Sequence, residues 1–237
     1  MGKILDIENK IWWRIQKHRE EKRVRMMKSY VLMFHDISVS RDNFSVSEEK
    51  FCEIIQTLIN NGYSFGSLDQ LCDGNVGLQK TCYITFDDGY QSVLTILPIL
   101  KKHEIPFCVY MTTSKMGKKG YLTPDDVKRL SNEMLCTIGN HTDSHVKARN
   151  MSQADFVDDV MKANNLLESI TLRPVNHFAF PYGSIVAVSP LNILQLIRLK
   201  KFRSIATTFQ DCLRNVKLRP IILPRIDASR IDVLDIL

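Results

Sequence analysis

The 237-residue sequence has no apolar run near the length of about 18 residues that a membrane-spanning helix needs, so none is expected. The first 28 residues are interrupted by charges throughout and offer no apolar stretch like that of a secretory leader, so a cytoplasmic protein is expected. No two of the six cysteines, Cys52, Cys72, Cys82, Cys108, Cys136 and Cys212, show CxxC spacing. Cys82, Cys108 and Cys136 sit inside apolar runs, and reduced core cysteines are the expectation. Internal repeats and low-complexity linkers are absent. The sequence also lacks a basic stripe interleaved with aromatics. Of its net charge of +6, nine Lys/Arg against four Asp/Glu fall in residues 1–28, which leaves the remainder close to neutral. No nucleic-acid partner is expected.

What is present suits one large α/β domain, 29–237, preceded by a basic amphipathic segment, 1–28. Residues 3–27 read as a helix with Ile4, Ile7, Ile11 and Ile15 on one face and Trp12 and Trp13 on or beside it. Short apolar strands then alternate with helices. Strands are expected over 30–34, 81–86, 106–111, 135–138, 177–180, 204–207 and 221–223. Helices are expected over 47–61, 92–103, from 124, 152–168 and 189–200, with Ser47 and Thr123 as caps and Pro98 as a kink. Such alternation implies a parallel sheet with helices outside. About seven units suit a (β/α) barrel with an extra N-terminal helix; an open doubly wound sheet is the second choice.

Three strand ends carry chemistry. In Thr85-Phe86-Asp87-Asp88-Gly89-Tyr90, two adjacent carboxylates oppose each other's ionisation, a cost that a bound cation removes. Neighbours at a strand end point different ways, so one carboxylate can hold metal while the other faces substrate. The same residues could merely form a capped turn. Gly139-Asn140-His141-Thr142-Asp143-Ser144-His145 offers two imidazoles, donors that suit zinc and similar ions. Two histidines four apart mean little alone and much more beside Asp87-Asp88. Phe178-Ala179-Phe180-Pro181-Tyr182-Gly183 runs into a turn that can aim a backbone N–H at a developing oxyanion, or can be an ordinary turn.

In this order and spacing the three segments resemble the polysaccharide deacetylase family, also called the NodB-homology domain or carbohydrate esterase family four. The likeness runs from about Tyr30 to Ile226. It implies a distorted (β/α) barrel and metal-dependent hydrolysis of acetyl groups on a sugar, polysaccharide or lipid-linked glycan. It implies further that Asp87 is the catalytic base, that Asp88, His141 and His145 bind a divalent ion, expected to be zinc, and that the Tyr182 N–H meets the oxyanion. Tyr90, Phe180, Pro181 and Tyr182 are the candidates to line the sugar. Two family features are missing from their usual places. Ala179 stands where most members carry an arginine, and no histidine follows His177 to act as the acid. Phe34-His35-Asp36 resembles the Tyr-His-Asp segment of the circularly permuted poly-N-acetylglucosamine deacetylases. In a barrel the first and last strands are neighbours, so His35 is expected to supply the acid. Arg225 is expected to orient the base.

The residues leave other readings open: an iron oxygenase, since two His and one carboxylate also make a facial triad, an inactive carbohydrate-binding scaffold, and a deacetylase of small N-acetyl compounds. Residues 3–27 could lie on the inner face of a membrane or pack across the barrel bottom. His18, His103 and His177 read as structural, and the oligomeric state is not legible.

Overall fold

The computed structural model describes residues 29–39, 43–74, 80–209, 211, 213 and 220–230. The helix expected over 3–27, His18 and Cys212 lie outside them.

In chain order the strands are β1 (Tyr30–Phe34), β2 (Asp36–Ile37), β3 (Ser45–Val46), β4 (Ser64–Phe65), β5 (Thr81–Phe86), β6 (Phe107–Met111), β7 (Cys136–Asn140), β8 (His177–Ala179), β9 (Ser204–Ala206), β10 (Ile221–Leu223) and β11 (Ile226–Asp227). The helices are α1 (Glu48–Asn60), α2 (Leu68–Cys72), α3 (Leu97–Lys102), α4 (Pro124–Ser131), α5 (Gln153–Thr171) and α6 (Pro190–Leu199).

One nine-stranded sheet runs β10-β9-β8-β7-β6-β5-β1-β11, with β4 added on β5, and every pairing in it among the described residues is parallel. β10 pairs β9 and β11 pairs β1, yet only Pro224 and Arg225 separate them. The two are one interrupted strand that leaves one edge of the sheet and joins the other, which closes a barrel. Set β4 aside and count β10–β11 once, and the nine strands become the seven expected.

Alternation along the strands sorts the core. Val31, Tyr83, Cys108, Tyr110, Ala179, Ala206 and Leu223 fill the interior. Leu32, Phe34, Ile84, Phe86 and Val109 face the buried sides of α1 and α4, and Phe178 and Ile205 pack beneath α5 and α6. Both strand faces are therefore apolar, as parallel strands covered by helices require. Helix starts follow side-chain caps. The Lys50 N–H donates to Ser47 Oγ at 3.2 Å, and Thr123 and Asp126 form a reciprocal capping box ahead of α4.

The segment expected as one helix over 92–103 is instead a 3₁₀ turn, Gln91–Leu94, followed by α3. Pro98 lies in the first turn of α3, because a proline ring inside a helix clashes with the carbonyl four residues earlier. The barrel bottom is plugged by α2, whose Leu68, Leu71 and Cys72 join the interior cluster. Asp69 on α2 accepts from Arg203 Nη1 at 2.7 Å and lies 3.2 Å from His177 Nε2. His177 Nδ1 meets Ser204 Oγ at 2.8 Å, so the ring ties the plug to β8 and β9. Cys52, Cys82, Cys108 and Cys136 are free.

Candidate active site

The C-terminal strand ends open into a cavity of about 460 Å³, lined by His35, Asp87, Asp88, Tyr90, His141, His145 and Tyr182 among others. Asp87 follows β5 and is anchored by its own N–H, which donates to Phe34 O at 2.8 Å. Its carboxylate is buried and receives two parallel bonds from Arg225, Nη1 to Oδ1 at 2.6 Å and Nη2 to Oδ2 at 2.7 Å. Arg225 is fully buried at the break between β10 and β11, and its Nε donates to Thr207 O at 3.0 Å. Burial opposes the charge on Asp87, but Arg225, His141 and His35 outweigh it and hold its carboxyl below the usual range.

Asp88 turns the other way, with a left-handed φ of 70°. Its Oδ1 lies 2.8 Å from His145 Nε2 and 3.5 Å from His141 Nε2, and Lys115 Nζ lies 3.4 Å from Oδ2. Ligands about 2.0–2.1 Å from a tetrahedral ion stand roughly 3.3 Å apart, close to these separations. Oδ1 is buried and has no aligned hydrogen-bond donor among the described residues. His141 Nδ1 meets Ala179 O at 2.8 Å, so that nitrogen carries the hydrogen and Nε2 offers its lone pair. Burial, only partly offset by Asp87 and Asp88, pushes the His141 pKa down to about 4, so the ring is neutral at pH 7. Three lone-pair donors with one orphaned buried oxygen fit a divalent cation. Asp88, His141 and His145 are the residues able to hold it, their donor atoms all lying within 4.8 Å of one another.

The loop carrying both histidines is held from below. Asn140 Oδ1 accepts from the Thr142 N–H at 2.8 Å, and its Nδ2 donates to Val160 O on α5 at 2.9 Å. Thr113 Oγ1 donates to Asp143 at 2.6 Å. Of the seven described non-glycine residues with positive φ, four (Asp88, Thr142, His145 and Tyr182) belong to the site. Backbone strain is thus concentrated where the donors are aimed.

His35 lies at the cavity immediately after β1, in line with Asp87 across the β1–β5 register. Among the described residues its buried Nδ1 has no hydrogen-bond partner, and its ring leans on Phe44 at 5.3 Å between centroids. Tyr182 is exposed and stands beside His145, ring centroids 5.0 Å apart, with Lys147 Nζ 5.1 Å from its own ring. Its carbonyl accepts from Thr208 Oγ1 at 3.0 Å, and a side chain at the next position, Gly183, would collide with Thr208 N at 2.7 Å. Tyr90 stacks on Tyr121 at 4.8 Å and lines the cavity.

The expected sugar contacts at Phe180 and Pro181 need correction. Phe180 is fully buried on the outer face of the barrel, stacked on Phe156 at 5.8 Å, and Pro181 is buried away from the cavity lining. Strand alternation sends Phe178 and Phe180 outward with Ala179 between them. Phe44, Lys147, Asp227 and Arg230 also line the cavity and Lys115 reaches Asp88, none of them marked by a motif in the sequence. Asp227 was the most accessible of these: two residues beyond Arg225, it shares that residue's inward face.

The parallel barrel thus carries an Asp-His-His cluster and an arginine-held carboxylate at its C-terminal mouth. Residues 75–205 match the polysaccharide deacetylase family, and the chain belongs to it. Over 105 residues it is 30% identical to the peptidoglycan-N-acetylglucosamine deacetylase of Bacillus cereus, covering 44% of this chain and 36% of that one. Over 170 residues it is 24% identical to the poly-beta-1,6-N-acetyl-D-glucosamine N-deacetylase of Staphylococcus aureus, covering 64% of this chain and 58% of that one. The chain spans between 36% and 58% of the length of these and the other leading curated relatives. The fold is shared with IcaB from Ammonifex degensii, with a TM-score of 0.73, 24% identity and coverage of 84% of this chain and 91% of that one. It is shared also with the Streptococcus pyogenes deacetylase PplD, with a TM-score of 0.74, 21% identity and coverage of 85% and 93%.

Proposed function

We propose that this chain removes the acetyl group from an N-acetylated sugar within a polysaccharide or lipid-linked glycan. Asp88, His141 and His145 hold a divalent ion, zinc by its preference for this donor set. The observation that carries the reading is the division of labour between adjacent carboxylates. Asp87 is locked by Arg225, while Asp88 turns to face two imidazoles.

The bound ion supplies Lewis acidity and lowers the pKa of water. Asp87, kept ionised by Arg225, takes the proton from the attacking water. The Tyr182 N–H, which donates to no described residue, is aimed by its left-handed backbone to meet the developing oxyanion. His35 delivers a proton to the departing nitrogen as the C–N bond breaks, giving acetate and an amino sugar. His35 and Arg225 lie at or against the cavity in place of the residues missing elsewhere in the chain, which favours an enzyme over an inactive binding scaffold. The deciding experiment is acetate release from a panel of N- and O-acetylated sugars, sugar nucleotides and lipid-linked sugars, with and without chelator. Chelator-sensitive release from an N-acetyl glycan supports the reading; no release from any member overturns it.

The acid role has its own expected result. His35→Ala should lower kcat by about 10²–10³-fold with metal content unchanged. Turnover near that of the wild type would leave His35 as scaffold.

No helix among the described residues is long and apolar enough to cross a membrane. The isoleucine stripe and the basic residues Arg14, Lys17, Lys22, Arg23 and Arg25 support peripheral contact with anionic lipid, each basic residue contributing about 1 kcal/mol at the surface. The protein should then sediment with anionic vesicles, and lose this at high salt or on removal of residues 1–27. A truncated protein that still sediments overturns the lipid contact.

A further inference from the structure

Among the described residues Arg225 is the link between the interrupted last strand and Asp87, so whatever fixes the guanidinium fixes the base. Its edge is accounted for by Asp87, by Thr207 O and by Thr85 Oγ1, the last 3.3 Å from Nη1. Its face is not. Beneath it, 5.4 Å from the guanidinium carbon to the ring centroid, lies Tyr110 of β6. Both side chains are fully buried.

The ring lies where another strand leaves room for it. A Cβ at Gly139, on the neighbouring β7, would stand 2.4 Å from Tyr110 Cδ1 and 2.6 Å from Cε1. No flexible chain end is involved on either side of that contact, so the space at Gly139 is what admits the ring. The Tyr110 hydroxyl lies by Ser204 of β9 without an aligned hydrogen bond among the described residues, and it is the ring that meets Arg225.

We propose that Tyr110 is a positioning residue for the base: its ring, admitted by Gly139, is the surface on which Arg225 is held flat, so that both Nη groups meet Asp87 in one plane. A guanidinium stacked on an aromatic face in a desolvated site gains cation–π attraction and loses its freedom to swing. Without the ring, Arg225 keeps its charge but not its plane. The bidentate contact then gives way to a rotating single one, and Asp87 is no longer aimed at the water.

The proposal rests on the deacetylase reading and is tested within it. In Tyr110→Met the flexible thioether fills most of the ring's volume. The expected result is a fall in kcat of about 10–100-fold, with KM, bound metal and the folded fraction unchanged. Tyr110→Phe should restore kcat to near the wild-type value. Because Tyr110 acts through Arg225, the Tyr110→Met change made in an Arg225→Met background should cost little more, a non-additivity that a purely structural role does not produce. Gly139→Ala reaches the same ring from the other side and should reproduce the kcat loss. Wild-type kcat in Tyr110→Met overturns the proposal. So does a Tyr110→Phe variant as impaired as Tyr110→Met, or full additivity with Arg225→Met. Unfolding of Tyr110→Met makes the ring structural and overturns it as well. Failure of the deacetylase reading is seen separately, as a wild-type protein that releases no acetate.

Discussion

Asp87→Asn is expected to lower kcat by about 10³–10⁴-fold while the protein keeps its metal. The amide has the size of the carboxylate but cannot take a proton from water. The metal should remain because both oxygens of Asp87 are taken up by Arg225 while Asp88 is the carboxylate that faces the two imidazoles. A second effect accompanies the first. Arg225 is fully buried, and removing the charge of its partner leaves a cation without compensation, which can cost about 3–5 kcal/mol. The variant should therefore melt earlier than the wild type. Adding Arg225→Met should recover much of that stability without recovering turnover, because a buried ion pair replaced by apolar groups is often neutral or stabilising. Metal analysis, kinetics and thermal melts on the three proteins check the set. If Asp87→Asn loses the metal while Asp88→Asn retains it, the two carboxylates have been assigned in reverse.

His141→Ala is expected to empty the metal site and abolish activity. His141 is the most constrained donor: buried, neutral at pH 7, and fixed in one tautomer by the carbonyl of Ala179. Losing one of three protein ligands should weaken binding severely, and the two remaining donors should not hold the ion through purification. Stability gives an independent readout. A ligand at 100 times its Kd stabilises the folded state by about 2.7 kcal/mol, or about 5–11 °C in Tm for a chain of this size. Wild type with metal should gain that shift and lose it to chelator. His141→Ala should melt at the same temperature with or without metal. Stoichiometric metal in this variant would place the site elsewhere.

What could be read from the chain follows from the physics of each segment. Asp87, Asp88, His141 and His145 were legible because each stands in a compact polar motif just after an apolar strand of five or six residues, long enough to be recognised as a strand. Phe180 was misplaced for the converse reason. β8 has three residues, all buried, so its sequence does not reveal which face looks inward. α2, with five residues, and β4 and β11, with two each, are too short to carry a periodic signal. Arg225 was visible only as an arginine after a short strand. Its bonds to Asp87 span 138 positions, and no local pattern encodes a contact of that length. Tyr110 looked like one more apolar residue in a core strand, since the space at Gly139 exists only once β6 and β7 are side by side.

The interrupted last strand gives the site an order of assembly. All three candidate metal donors fall between positions 88 and 145, at the ends of β5 and β7, which flank β6 in the first half of the barrel. The cation that orders the base arrives with position 225, at the seam where the barrel closes. During synthesis from the N-terminus, the chain presents its metal ligands about 80 residues before it presents Arg225. On the proposed reading, metal loading can thus precede competence, which waits until the segment around Arg225 has been threaded into place. Any event that opens the seam, whether a nick or a local unfolding of 220–230, should switch turnover off with the ion still bound.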